Sequence, residues 1–329
     1  MIYANAYDAV MDDVFVTLPY LSRRADVYLK IEGFNPAGSI KLKTAIGLIE
    51  DAERGGSVSV GVPVIESSSG NLGIALSSIC AAKGYPFTCV VDPNTSGSAV
   101  AHMRALGAEV VTVRETDANG GYLSSRIAYV RERIRAQPEM VWLNQYANPA
   151  NPRAHYERTA RSLLAGLRHI DYLFVGTGST GTFVGCARYL REHSPHTRVI
   201  AVDSQGSVTF GAEPGRRWIP GLGASRRPEL CRPELAHEIV HVAEEDAIRE
   251  CRRVARNTGL LVGGSTGSVL AAIAAREEDF RDRPRVAAIA PDLGDRYLKT
   301  VYDDDWVTAR FGGVATAEEI GLVGAPAGG

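Results

Sequence analysis

The chain has 329 residues, 45% of them hydrophobic and 22% charged, which fits a folded globular protein and excludes a disordered or fibrous one. Lys and Arg total 36 against 38 Asp and Glu, a net charge of −2, so nothing in the charge balance argues for nucleic acid and any bound anion must be held locally. The five cysteines (Cys80, Cys89, Cys186, Cys231, Cys251) form no CxxC, no apolar run reaches bilayer length, and the first residues lack a basic-then-apolar leader. A reducing cytoplasm is expected, with no membrane partner.

In chain order, strand and helix alternate. Strands are expected over 27–31, 62–66, 87–91, 109–113 and 141–144, with helices over 39–54, 72–83, 97–106 and 121–136. A break follows at Asn148-Pro-Ala-Asn-Pro152, where two X-Pro steps resist helix. The scheme then resumes, with helices over 154–167, 181–193, 243–257 and 268–276 and strands over 172–175, 199–203, 260–262 and 285–290. This alternation implies right-handed βαβ crossovers and an α/β fold of two doubly wound domains with mostly parallel sheets. The expected division is a smaller N-terminal domain over 35–149 and a larger one built from 1–34 and 150–312. A Gly/Ala-rich tail over 313–329 is expected to be flexible.

Four loops carry residues suited to chemistry. Asn35-Pro-Ala-Gly-Ser-Ile-Lys41 puts a lysine at a helix start, where the macrodipole disfavours it, so its position needs a reason beyond a solvated turn. Ser68, Ser69, Gly70, Asn71 and Leu72 link a strand to a helix, either as plain caps or as a cradle of N–H groups for a carboxylate or phosphate. Gly176, Thr177, Gly178, Ser179, Thr180 and Gly181 satisfy GxGxxG between strand and helix, with Asp203 about twenty residues on. That loop suits an NAD-dependent oxidoreductase or a single phosphate monoester equally well. Gly263-Gly-Ser265-Thr-Gly267 matches GxSxG, but a hydrolase of that type needs a later histidine, and the last one here is His241. No metal site is expected: His237 and His241 alternate as on a strand, and His193 and His196 flank Pro195 in a loop.

Taken together and in this order, the four loops resemble those of the fold-type II pyridoxal 5′-phosphate enzymes, the cysteine synthase and cystathionine β-synthase group, from about Asn35 to about Asp292. The resemblance implies a tryptophan synthase β-subunit-like fold and a homodimer. It implies Lys41 as the Schiff-base lysine, favoured over Lys43 by its spacing from Asn35-Pro36. Asn71 would contact the cofactor hydroxyl, the loop 176–180 would hold its phosphate, and Ser265 would face its pyridine nitrogen. Ser68, Ser69, Gly70, Asn71, Leu72 and Gln145 would take the substrate carboxylate.

Departures from the cysteine synthase pattern fall in the substrate pocket: Lys41-Leu42-Lys43, Leu72, Tyr146 and Ser179. The segments FNPAGSIKLKTA, ESSSGNLG, WLNQY, VDSQGSVTFG and IPGLG resemble a biosynthetic subgroup, the N-(2-amino-2-carboxyethyl)-L-glutamate synthases of 2,3-diaminopropionate formation in siderophore and antibiotic pathways. This implies a β-replacement on O-phospho-L-serine with L-glutamate as nucleophile. Sulfide as nucleophile, as in cysteine synthesis from O-acetylserine or O-phosphoserine, is the alternative within the family. Arg126 is the candidate for the substrate phosphate, with Tyr146 and Ser179 adding hydroxyls. Arg216, Arg217, Arg226 and Arg227 flank the Gly-rich loop 219–223, either as a solvated face or as partners for a second carboxylate.

Overall fold

The computed structural model describes residues 2–312, so the expected tail over 313–329 lies outside the described residues. The first half runs β1 (Phe15–Thr17), β2 (Asp26–Ile31), α1 (Lys41–Arg54), β3 (Val64–Ser67), α2 (Asn71–Lys83), β4 (Phe87–Val91), α3 (Gly97–Ala105), β5 (Glu109–Thr112), α4 (Leu123–Ala136) and β6 (Val141–Trp142). The second runs α5 (Ala150–Ala154), a π-helical turn (His155–Ala160), α6 (Arg161–Leu167), β7 (Tyr172–Gly176), α7 (Gly181–His193), β8 (Arg198–Ser204), β9 (Glu238–Val242), α8 (Glu244–Thr258), α9 (Gly264–Ala274), β10 (Arg285–Ala290) and α10 (Asp304–Phe311).

The strands form two sheets, ordered β5-β4-β3-β6 and β1-β2-β10-β7-β8-β9. Every pairing is parallel except that of the edge strand β1, which sets Phe15 against Lys30 antiparallel to β2. Strands covered on both faces must be apolar throughout, and β4 (FTCVV) is buried along its whole length. The fold is therefore α/β with mostly parallel sheets, and both sheets have the topology that gathers ligands at strand carboxyl ends. Those ends launch the loops singled out above: 32–41 after β2, 68–70 after β3, 143–149 after β6, 177–180 after β7 and 291–293 after β10.

Several elements differ from the sequence-based expectation. The helix expected over 154–167 begins at Ala150 and widens into a π turn at His155, whose ring is fully buried. Its Nε2 lies 2.9 Å from Thr44 Oγ1 and 3.3 Å from Thr182 Oγ1, and its Nδ1 lies 3.1 Å from Thr159 Oγ1. Residues 260–262 make one isolated bridge, Val262 to Leu293, rather than a strand. The Gly263–Gly267 loop is mostly helix: α9 starts at Gly264 because its glycines let neighbours close in. A Cβ on Gly264 would meet Ile219 Cγ2 at 2.2 Å, and one on Gly267 would meet Ala247 O at 2.1 Å.

Candidate active site

The turn that presents Lys41 is fixed by one side chain. Asn35 Nδ2 donates to Glu32 O and Ser39 O, both at 2.9 Å, and its Oδ1 accepts from Ala37 N at 3.0 Å. Ile40 N donates to Pro291 O at 2.7 Å, which ties the start of α1 to the end of β10. Lys41, half-buried, lines a cavity that opens to solvent and holds about 480 Å³ of space not filled by protein atoms. Burial lowers its ammonium to about 8, while the Asp292 carboxylate pulls the other way. Lys43 turns elsewhere and is fully buried. Its Nζ is 2.7 Å from Glu32 Oε2 and also contacts Asp12, while Lys30 Nζ lies 3.0 Å from Glu32 Oε1. The two lysines are thus separated by partner: Lys43 is neutralised in an ion-pair cluster, and Lys41 faces the cavity.

Opposite Lys41, Gly176, Gly178, Ser179 and Thr180 curve into the N-terminus of α7. First-turn N–H groups have no intrahelical acceptor, and the dipole favours an anion there. Thr180 adopts a left-handed φ of 65°, and its Oγ1 is buried without a hydrogen-bond partner. Thr177 serves the frame: its Oγ1 donates to Val202 O at 2.9 Å, and its carbonyl accepts from Gly223 N at 2.7 Å. Beside it Gly178 passes close to the strap, where a Cβ would lie 3.1 Å from Gly221 O. Ser265, in the first turn of α9, lines the same cavity, and Ile40, Val175, Val269 and Ile289 form apolar walls. An orphaned hydroxyl and helix N-terminus at one end, an amine at the other and apolar faces between fit pyridoxal phosphate. Asp203, the acid a dinucleotide would require, is fully buried, and its Oδ1 accepts from Ser204 N at 2.9 Å.

The carboxylate loop is divided in function. Ser68 Oγ accepts from Gly73 N at 2.9 Å and from Gly70 N at 3.3 Å, so it caps α2, and the Leu72 side chain lies in the core. Ser69, Gly70 and Asn71 are half-buried. Asn71 Nδ2 donates to Asp292 Oδ2 at 2.7 Å, and its Oδ1 accepts from Arg296, which also donates to Ala37 O at 2.7 Å. Tyr297 donates its hydroxyl hydrogen to Asp292 Oδ2 at 2.7 Å. Burial raises the Asp292 carboxyl, and its Oδ1 has no partner. Asp292, Arg296 and Tyr297 escaped the sequence reading, although Pro291-Asp292 directly follows a strand of a parallel sheet, which is the signal that could have found them.

The remaining residues meet beyond β6. Arg126 is buried with Nε 3.4 Å from Asp92 Oδ2, yet its Nε and one terminal nitrogen have no hydrogen-bond partner. The guanidinium faces the Tyr146 hydroxyl, and the ring packs on Leu123, Ile127 and Ala224. Ser179 Oγ accepts from Asn151 Nδ2 at 3.1 Å, and Asn151 also donates to Gln145 O at 2.7 Å. Gln145 itself is buried, with Nε2 donating to Ser67 O at 2.9 Å. Beneath them lies Glu66, which accepts from Ser67 N, Trp142 Nε1 and Gln145 N. Burial pushes its carboxyl up to about 7 despite those bonds. Asn151, in α5, and Glu66, at the end of β3, lie in segments the sequence singled out, but neither reads as a site residue there because their partners are distant in the chain.

Comparison with known proteins agrees with this geometry. Residues 13–292 match the family described as pyridoxal-phosphate dependent enzyme. The N-(2-amino-2-carboxyethyl)-L-glutamate synthase of Ralstonia nicotianae is 44% identical over 305 residues, covering 91% of this chain and 90% of that protein. The protein of the same name from Cupriavidus metallidurans is 43% identical over 314 residues, covering 93% and 92%. Among solved structures, O-ureido-L-serine synthase superposes with a TM-score of 0.85 at 28% identity, covering 97% of this chain and 99% of that one. The O-acetylserine dependent cystathionine beta-synthase from Helicobacter pylori also gives 0.85, at 30% identity, covering 91% and 98%. A lysine of lowered pKa opposite an anion cradle is what such a cofactor requires, and by its sequence over most of its length this chain belongs to the pyridoxal-phosphate dependent enzymes.

Proposed function

We propose that the protein catalyses a β-replacement, joining O-phospho-L-serine to L-glutamate to give N-(2-amino-2-carboxyethyl)-L-glutamate and inorganic phosphate. The product is a precursor of 2,3-diaminopropionate in siderophore or antibiotic biosynthesis, made in the cytoplasm by a homodimer. The observation that carries the donor is Arg126, a buried guanidinium with unpartnered nitrogens beside Tyr146. Asp92 lies 3.4 Å from Nε without closing a hydrogen bond, so donors remain for a phosphate, which suits the planar fork. The nucleophile rests on the shared name of the two relatives.

Pyridoxal phosphate, when bound, supplies the electron sink that makes the Cα proton acidic and lets the Cβ substituent leave. The residues of the chain then have these parts. The neutral Lys41 amine takes the proton from Cα, and an amine lowered to about 8 is partly neutral near pH 7. Arg126 binds the phosphate as the Cβ–O bond breaks and the electron pair leaves with oxygen. Tyr146 and Ser179 add hydroxyls, the latter oriented by Asn151. The N–H groups of Ser69, Asn71 and Leu72, with Gln145, hold the donor carboxylate. Glutamate nitrogen forms the new bond to Cβ and loses a proton, and Lys41 returns the proton to Cα. The cradle of residues 176–180 and Ser265 would hold the cofactor phosphate and ring nitrogen.

Donor choice is tested by kcat/KM for O-phosphoserine against O-acetylserine with glutamate saturating. The wild type is expected to prefer the phosphate ester, and Arg126→Ala to lose that preference by at least tenfold. Equal use of both donors by the wild type would contradict the assignment of Arg126.

A further inference from the structure

The four arginines between β8 and β9 have different surroundings. Arg216 stacks on Trp218, with its guanidinium carbon 3.7 Å from the ring centroid. Arg226 pairs with Glu229, and Arg227 lies against the Cys231 thiol. Arg217 alone of the four combines partial burial with a buried Nε that has no hydrogen-bond partner; one terminal nitrogen donates to Leu222 O at 2.9 Å. No carboxylate among the described residues lies within 4.0 Å of it as an ion pair.

The acids around Arg217 are committed to other donors. Glu244 accepts the N–H groups of Trp218 and Ile219, at 2.9 and 2.7 Å. Asp117 accepts from Ser225 Oγ at 2.8 Å and from Gly121 N at 3.0 Å. Asp203 accepts from Ser204 N through Oδ1, leaving Oδ2 as the one unpartnered acid oxygen nearby. Arg217 is anchored on the strap that forms part of the cofactor cavity: Gly221 lines that cavity, and Gly223 N donates to Thr177 O at 2.7 Å. Tyr146 lies within electrostatic reach of Arg217 and beside Arg126, and both guanidiniums have a buried nitrogen without a hydrogen-bond partner.

We propose that Arg217 binds the side-chain carboxylate of the incoming amino acid, while Arg126 binds the departing phosphate. This rests on the reading of the nucleophile as an acidic amino acid. The two substrates share Cβ as their meeting point, but a glutamate side chain extends well past it, so its distal carboxylate needs a second cation. The Arg fork supplies a charge-assisted pair there, and glutamine in the same place would leave the fork without its anion.

The test uses the holoenzyme and three readouts: phosphate release from O-phosphoserine without nucleophile, KM for glutamate, and kcat/KM for glutamate against glutamine. Arg217→Gln is expected to raise the glutamate KM about 10- to 100-fold and to erase the preference for glutamate over glutamine. Nucleophile-free phosphate release and donor KM are expected to stay within about twofold, because the first half-reaction does not involve the second carboxylate. If glutamate and glutamine lose rate equally, or cofactor absorbance falls, Arg217 is a counter-charge for Asp203 and the proposal is overturned. Should Arg217→Gln not fold, Arg217→Lys decides: a several-fold rise in glutamate KM alone supports the proposal, and a parallel rise in donor KM overturns it. Wild-type enzyme that forms no glutamate adduct would refute the proposed function itself, whereas normal adduct formation with an unaltered variant KM refutes only the role of Arg217.

Discussion

Lys41 and Lys43 stand two residues apart, yet differ in every property that matters for chemistry. Lys43 is fully buried against Glu32 and Asp12, and removing one partner of such a cluster strands the others. Lys43→Ala is therefore expected to cost about 3–5 kcal/mol in denaturant unfolding while still retaining cofactor. Lys41→Ala is expected to fold but to show no pyridoxyl mass on the protein after borohydride reduction. A pyridoxyl mass that persists in Lys41→Ala and vanishes in a folded Lys43 variant would reverse the assignment. The burial that lowers Lys41 to about 8 also sets a pH dependence. Its neutral fraction grows as pH rises through about 8, so apoenzyme should capture the cofactor faster across that window and level off above it. A capture rate flat from pH 7 to 9 would contradict the lowered pKa.

At the scale of elements, the close approach of helices depends on particular glycines. The α8–α9 contact leaves no room at Gly267, where a Cβ would meet Ala247 O at 2.1 Å and Cys251 Sγ at 2.5 Å. Gly267→Ala is expected to destabilise by about 1–3 kcal/mol in chemical denaturation, and an unchanged midpoint would show that α8 can shift. The same glycines explain what sequence pattern could and could not reveal. Apolar runs such as FTCVV and the helical spacing of α1 and α7 are local signals, so most strands and helices are readable within a few residues. Gly-Ser-Thr-Gly reads locally as a loop and becomes helix only because Ile219 and Ala247 press against it. The edge strand β1 has three residues and α10 eight, too short for periodicity to register. Within the site, Ser179 and Thr180 sit in a strand-to-helix loop, and Lys41 and Ser265 at the first turns of the helices that follow such loops, all visible in the sequence. Asp12, Glu32, Asn151 and Asp292 gain significance only from partners distant in the chain.

For the whole molecule, hydrogen bonds join the loops that follow the two sheets. Asn71 after β3 meets Asp292 after β10, and Arg296 joins Asn71 to Ala37 beside Lys41. Arg296→Ala removes both of its links at once. Hydrogen exchange in 35–40 and 68–72 is expected to rise together in that variant, and a rise in one segment alone would show that the loops are held independently. On the other side, Asp117 and Asn119 grip Ser225, so the α4 layer meets the strap that carries Arg217.

The proposed reaction turns on a carbon–nitrogen bond made at Cβ of phosphoserine. Mass spectrometry of the products formed from O-phosphoserine with equimolar glutamate and sulfide tests it most directly. A glutamate adduct, formed one for one with released phosphate, is the predicted result. Cysteine as the main product would contradict it and make the enzyme a phosphoserine-dependent cysteine synthase.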